Sequence, residues 1–138
     1  MFNLENKVAI VTGGGRGLGA KLSLGLSLLG AHIFIATKDI DSSLFKTIEE
    51  IKSLNNFAQF FEVDVSNKEQ TLAMAEEAYN KFGRIDILVN NVGLFTFEPF
   101  LDTKEEEWDR LIALNLKSTM LCSRAVLKEM VKRSYGKI

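Results

Sequence analysis

Val8-Ala9-Ile10-Val11-Thr12-Gly13-Gly14-Gly15-Arg16-Gly17-Leu18-Gly19 is the stretch whose reading decides the fold. Its first four residues form a short apolar run rich in β-branched side chains, the pattern of a buried strand. After Gly19, Leu22, Leu26 and Leu29 recur at helical spacing, and Gly30 follows them where a C-terminal cap belongs. The glycines therefore sit at a turn from strand to helix. Glycine permits a tight turn and lets backbone N–H groups come close to a ligand. A helix start adds unsatisfied donors and a partial positive charge, which together suit a pyrophosphate. The spacing is Gly-x-x-x-Gly-x-Gly over positions 13, 17 and 19. It differs from the Gly-x-Gly-x-x-Gly fingerprint, and no Gly-Lys-Ser/Thr follows to make a P-loop. A glycine-rich turn that serves packing alone is the plainer reading, and the strand and helix on either side argue against it.

Strand and helix signals alternate through the rest of the chain. Ile33-Phe34-Ile35-Ala36 reads as a second strand, and Leu44, Ile48 and Ile51 mark a second helix ending near Asn55-Asn56. Phe57 to Val63 reads as a third strand. Ser66-Asn67-Lys68-Glu69 has the form of a capping box, opening a helix through Leu72, Ala75, Tyr79 and Phe82 to Gly83. Ile85 to Val89 reads as a fourth strand. Thr103-Lys104-Glu105-Glu106 is a second such box, ahead of one long helix through Trp108, Leu111, Leu114, Leu121 and Met130. Buried strands alternating with helices imply a parallel α/β sheet covered on both faces.

A chain of 138 residues suits one domain with a real core. The formal net charge of -1 offers no basic footprint for nucleic acid. No apolar run is long enough to span a bilayer. The start, Met1-Phe2-Asn3-Leu4-Glu5-Asn6-Lys7, lacks the apolar core of a signal peptide. Cys122 is the single cysteine, so no disulfide framework is expected and a reducing, cytoplasmic setting is. Within an apolar helical stretch it reads as a small buried hydrophobe rather than a nucleophile. No metal-binding cluster is expected.

Further chemistry-bearing residues fall at strand ends, where parallel α/β sheets bind ligands. Thr37 and Lys38 follow the second strand, Asp64-Val65 the third, and Asn90-Asn91-Val92-Gly93 the fourth, while Asn115 falls mid-helix. Taken together these residues resemble the short-chain dehydrogenase/reductase family. Thr12 to Gly19 match its Thr-Gly-x-x-x-Gly-x-Gly motif. Asn90 to Gly93 match its Asn-Asn-Ala-Gly motif with valine for alanine, and Trp108 to Leu116 match the helix that carries its active-site asparagine. The resemblance covers essentially the whole chain. It implies a three-layer Rossmann-type, doubly wound parallel sheet of strand order 3-2-1-4, here the amino-terminal part, residues 1–138, ahead of a fifth strand.

The roles that the resemblance implies are as follows. Thr12, Gly13, Gly15, Arg16, Gly17, Leu18 and Gly19 form the pyrophosphate loop. The Asp64 carboxylate takes the adenine amino group and the Val65 N–H a ring nitrogen. Asn90 and Gly93 line the adenine ribose and the cleft floor, and Asn91 is counted with them as cofactor-binding. Asn115 holds a water in a proton relay to a lysine. The plain readings are a turn former for Asp64, a polar turn for Asn90-Asn91, and an exposed helix residue for Asn115.

The end of the second strand bears on the cofactor. An acid there binds both ribose hydroxyls of NAD. Here Ala36-Thr37-Lys38-Asp39 places a hydroxyl and a cation, which suit a 2′-phosphate, and Arg16 adds a second cation. NADP is the expected cofactor. NAD stays open, because Asp39 would reverse the preference if the turn aimed its carboxylate inward.

The family resemblance implies hydride transfer between NADP(H) and a carbonyl or alcohol, such as a 3-oxoacyl thioester, by a serine, a tyrosine and a lysine four residues after it. The chain has only Tyr79, followed four residues on by Gly83, and Tyr135, too near Ile138. The 138 residues are accordingly expected to be the cofactor-binding half of a reductase and inactive alone. Two other readings are a non-catalytic nucleotide-binding or interaction module and an unrelated flavodoxin-like domain that holds another phosphate ligand. Ser134-Tyr135-Gly136-Lys137-Ile138 resembles the lead-in to the family's fifth strand. Without that strand the fourth strand's outer edge would be open. The longer parent is expected to form a homo-oligomer through the helix of 103–132. Leu94-Phe95-Thr96-Phe97-Glu98-Pro99-Phe100 is either an apolar lip of a substrate cleft or loop packing.

Overall fold

The computed structural model describes residues 3–138. Met1 and Phe2, the beginning of the N-terminal stretch read above, lie outside the described residues. Four strands, β1 (Val8–Thr12), β2 (His32–Thr37), β3 (Ala58–Glu62) and β4 (Ile87–Val89), form one parallel sheet in the order β3-β2-β1-β4. Five helices flank it: α1 (Gly17–Leu28), α2 (Ser42–Ser53), α3 (Lys68–Phe82), α4 (Glu105–Ile112) and α5 (Ser118–Lys132). The expected α/β architecture and strand order are both present. Both sheet faces are covered, and strand alternation divides the core in two. Ile10, Phe34 and Leu88 point to one side, where Met74 and Ala78 of α3 and Cys122 and Val126 of α5 meet them. Ala9, Val11, Ile33 and Ile35 point to the other, against Leu44, Ile48 and Ile51 of α2. Cys122 is buried as expected, and burial pushes its thiol up to about 11. Among the described residues no helix is long and apolar enough to cross a membrane.

Several local expectations need correction. The buried face of α1 is Gly19, Ala20, Ser23 and Ser27, while Leu22 and Leu26 are only half-buried and Leu29 is exposed. Small residues bring α1 close to β1, and the serines spend their hydrogen bonds inside. Ser23 Oγ donates to the Gly14 carbonyl at 3.1 Å, and Ser27 Oγ accepts from Asn56 at 3.1 Å. Neither capping box forms. Ser66 Oγ is taken by Asp64 at 2.6 Å, so the cap of α3 passes to Asn67, whose Oδ1 accepts from the Gln70 N–H. Thr103 Oγ1 donates back to the Pro99 carbonyl, and α4 opens at Lys104 without a side-chain cap. Glu105, Glu106 and Glu107 in its first turn complement the helix dipole instead.

The long helix is interrupted. Between α4 and α5 the turns widen to π geometry over Ala113–Lys117, and Asn115 lies inside that segment. Such bulges are rare in helices and recur at functional sites. The outer edge of β4 is partly covered as well. Lys137 bridges Ile87 in parallel, with its N–H on the Asp86 carbonyl at 3.0 Å and its own carbonyl accepting from Leu88 at 2.9 Å.

Candidate functional site

A cleft of about 790 Å³ opens beyond the carboxyl ends of the strands. Its floor is the glycine loop. Gly13 and Gly17 hold φ of 63° and 54°, in the left-handed region that glycine alone enters cheaply. Gly13 donates its N–H to the Ala36 carbonyl at 2.7 Å, which fastens the loop to β2. Nothing stands within 4 Å of where a Gly17 side chain would begin, so the loop backbone there faces open space. Gly19 is the opposite case. A Cβ there would strike the Gly13 carbonyl oxygen and lie 2.6 Å from Asn91 Nδ2.

Thr12 and Asn91 clamp the ends of β1 and β4 together. Thr12 Oγ1 donates to the Val89 carbonyl at 3.2 Å and accepts from the N–H of Asn91 and of Val92 at 2.9 and 3.2 Å. Asn91 Nδ2 returns to the Thr12 carbonyl at 2.9 Å. The loop is thus shaped by side chains that have no spare donors of their own.

The helix that follows is suited to an anion. Arg16 stands at the N-cap of α1 without a side-chain cap, and no acidic residue lies in the first turn. The unpaired N–H groups and the dipole keep their positive character toward the cleft.

Of the candidate residues, Gly13, Arg16, Gly17, Leu18, Gly19, Thr37, Lys38, Asp64, Val65, Asn91 and Gly93 line this cleft. The structure does not bring Thr12, Gly15, Asn90 or Asn115 to its wall. Thr12 acts through the clamp. Gly15 packs on α2, where a Cβ would come within 2.9 Å of Leu44, and its carbonyl accepts from Thr47 Oγ1 at 3.0 Å. Asn90 turns to α5 and donates to Ser123 Oγ at 3.3 Å. Asn115 grips the loop after β4, donating to the Leu94 carbonyl at 2.6 Å and accepting the Leu94 N–H at 2.8 Å. It is exposed, as the plain reading had it, and outside the cleft wall, where it serves as a two-bond anchor. Ser66, Arg110, Ala113 and Leu114 also line the cleft and were not anticipated. Arg110 and Leu114 stand four residues apart on one helical face, and that spacing was the available signal.

The end of the cleft beside β2 and β3 carries two ion pairs. Arg16 Nη2 meets Asp39 Oδ2 at 2.7 Å, and Lys38 Nζ meets Asp64 Oδ2 at 3.1 Å. Asp64 Oδ1 accepts both the hydroxyl and the N–H of Ser66, at 2.6 and 3.0 Å. The Ser66 hydroxyl, ahead of Lys38, holds this carboxyl below its ordinary value despite some desolvation. Asp64 is therefore an anion whose Oδ2 is held by Lys38.

Beyond the cleft, Phe95, Phe97 and Phe100 are all strongly exposed. Phe95 and Phe97 touch edge to face with centroids 4.9 Å apart, and Phe100 contacts Trp108 in the same way at 6.5 Å. Of these only Phe95 reaches the cleft wall.

These features agree with what known proteins show. The profile of the family described as short chain dehydrogenase matches residues 7–138. A 2-dehydro-3-deoxy-D-gluconate 5-dehydrogenase from Pseudoalteromonas atlantica is 37% identical over 137 residues, 99% of this chain and 54% of the relative. A cyclopentanol dehydrogenase from Comamonas testosteroni is 34% identical over 137 residues, with the same two shares. Among solved structures, a metagenomic short-chain oxidoreductase in complex with NADP superposes with a TM-score of 0.90 at 35% identity, over 96% of this chain and 60% of that one. A short-chain type dehydrogenase/reductase from Mycobacterium marinum gives 0.92 at 29%, over 99% and 55%. The chain spans about half the length of the curated relatives it matches. By its glycine loop, its strand-end residues and this match over nearly all its length, the chain belongs to the short chain dehydrogenase family.

Proposed function

We propose that the cleft binds NADP(H), and that residues 1–138 are the cofactor-binding half of an oxidoreductase moving a hydride between the nicotinamide and a carbonyl or alcohol. The observation that carries this reading is the uncapped, acid-free start of α1 behind a glycine loop whose backbone faces open space. Bound there, the cofactor would supply the hydride acceptor or donor. The chain's own residues bind and orient it. Gly13, Gly17 and Gly19 cradle the pyrophosphate, with Gly15 and Thr12 shaping the loop behind them. Asp64 and Val65 take the adenine, and Asn91 and Gly93 line the cleft. Asn115 serves by fixing the loop at Leu94 and by offering the widened backbone of its π segment as a site for a relay water.

No tyrosine among the 138 residues is followed four positions later by a lysine. Proton transfer to or from the substrate oxygen thus falls to residues elsewhere in a longer protein. A positioned acid or base contributes roughly 10²–10⁴ in rate. Loss of positioning removes more. The purified 138-residue chain is expected to bind NADPH yet to oxidise none of it against ketones, aldehydes or 3-oxoacyl thioesters. Turnover above that of a binding-dead variant would overturn the division of labour.

Two cations at the ribose end support NADP over NAD. Lys38→Glu is expected to weaken NADP by roughly 10- to 100-fold, the scale of one charge-assisted hydrogen bond, and to invert the preference. Equal affinity ratios for the two cofactors in wild type and variant would show Lys38 to be a solvated surface charge. The outer face of α4 and α5 exposes Trp108, Ile112, Leu116, Met120 and Val131. That apolar stripe supports self-association of the longer protein through this helix, which light scattering on that protein decides.

A further inference from the structure

We infer that Asp39 is a specificity-determining residue, an internal stand-in for the 2′-phosphate that occupies Arg16 until a 2′-phosphorylated nucleotide displaces it. This inference rests on the reading of the cleft as a nucleotide site. Each of the two cations near the end of β2 is matched to one acid, Arg16 to Asp39 at 2.7 Å and Lys38 to Asp64 at 3.1 Å. All four side chains line the same cleft. Neither pair is structural cement. Arg16 and Asp39 are both more than half exposed, and Lys38 more so. Exposed pairs of this kind are worth little and exchange partners easily.

The turn that presents Asp39 is built. The Asp39 N–H donates to Thr37 Oγ1 at 3.1 Å, so the threonine at the end of β2 sets the direction in which the next acid leaves the strand. The carboxylate thereby meets Arg16 of the glycine loop while staying about half exposed to solvent. A phosphomonoester dianion satisfies the guanidinium fork better than a single carboxylate, because it offers more charge and three oxygens. It can take Arg16 from Asp39 and Lys38 from Asp64 at once. The second exchange uncovers Asp64 Oδ2, the oxygen not held by Ser66. A nucleotide with a free 2′-hydroxyl offers neither exchange.

The consequence is a cost that NADP-type ligands bear and NAD-type ligands do not. Asp39 competes with the phosphate for Arg16 and, once displaced, repels it. The test uses adenosine-end probes on the 138-residue chain, 2′-phosphoadenosine 5′-phosphate and 5′-AMP, titrated calorimetrically at low salt. Asp39→Asn should raise the affinity ratio of the first to the second roughly three- to tenfold, the scale of one exposed ion pair. The same substitution made on an Arg16→Gln background should change that ratio less than twofold, because there is no guanidinium left to compete for. An unchanged ratio in Asp39→Asn alone overturns the inference. An equal gain with and without Arg16 overturns it too, since Asp39 would then act only through its field. If neither probe binds the folded wild type, the reading of the cleft as a nucleotide site fails, and the inference falls with it.

Discussion

Replacing Asp86 by alanine is expected to cost about 3–5 kcal/mol of stability, the scale for removing one partner of a buried ion pair. Against a total of about 5–15 kcal/mol for a domain, that is a large share. The Asp86 side chain is fully buried at the end of the sheet away from the cleft. Its Oδ2 accepts from Arg84 Nε at 2.7 Å and from the Val8 N–H at 2.9 Å, and its Oδ1 from Arg84 Nη2 and Arg133 Nη1 at 2.8 and 3.1 Å. Arg133 also donates to the Ile85 carbonyl. One carboxylate thus ties the start of β1, the entry to β4 and the end of α5. Without it, two arginines and a backbone N–H lose their acceptor together. Burial alone would raise the Asp86 pKa, but the hydrogen bonds from Arg84, Val8 and Arg133 outweigh it and leave the carboxyl below its ordinary value. A carboxyl depressed in the folded state contributes stability above its unfolded value, near pH ~4, and that contribution is lost as pH falls through the folded value. Resistance of wild type to urea should therefore fall below about pH 4. Asp86→Ala should start lower and show a flatter acid limb. A variant within about 0.5 kcal/mol of wild type, the range of an ordinary surface substitution, would show that the cluster does not hold these elements.

Gly19→Val should be the most damaging change in the loop. The new Cβ would run into the Gly13 carbonyl and crowd Asn91 Nδ2, and backbone cannot yield as a side-chain tip does. Overpacking of this kind costs roughly 1–3 kcal/mol, and here it opens the turn that Thr12 and Asn91 hold shut. Nucleotide affinity should fall at least ~100-fold, because the donors are no longer convergent. Gly17→Val separates folding from binding. Its neighbourhood is empty, so the cost to the fold is that of a left-handed residue, about 1–2 kcal/mol. The side chain would nevertheless fill the space the pyrophosphate needs. Circular dichroism and thermal melts should find Gly17→Val folded and Gly19→Val weakened, with both impaired in binding. Wild-type affinity in Gly19→Val would mean that the loop does not hold the ligand.

The parallel α/β sheet was legible because β-branched runs alternate with helical repeats, whereas its strand order followed only from the family resemblance. The glycine loop was legible for the same local reason. What was not legible depends on contacts between distant residues. Ser66 could not be known as unavailable for capping without seeing Asp64 beside it. Asn115 was read from the resemblance as a relay residue, but its bonds to the Leu94 backbone were not legible because the fold brings that partner to it, and no periodicity announces a π segment. The serine face of α1 ran against the usual rule that leucines face inward, since a close helix–strand approach rewards small side chains. Asp86 offered a signal that was passed over, a lone acid inside the apolar run Ile85 to Val89 directly after Arg84.

A dinucleotide seated at the start of α1 is what the cleft is proposed to hold. Calorimetric titration of the 138-residue chain and its Gly17→Val variant with NADPH and NADH tests it most directly. The expected result is one saturable site in wild type, tighter for NADPH than for NADH, and loss of that site in a variant that remains folded. Equal NADPH affinity in the two proteins, or no saturable binding by folded wild type, would contradict it.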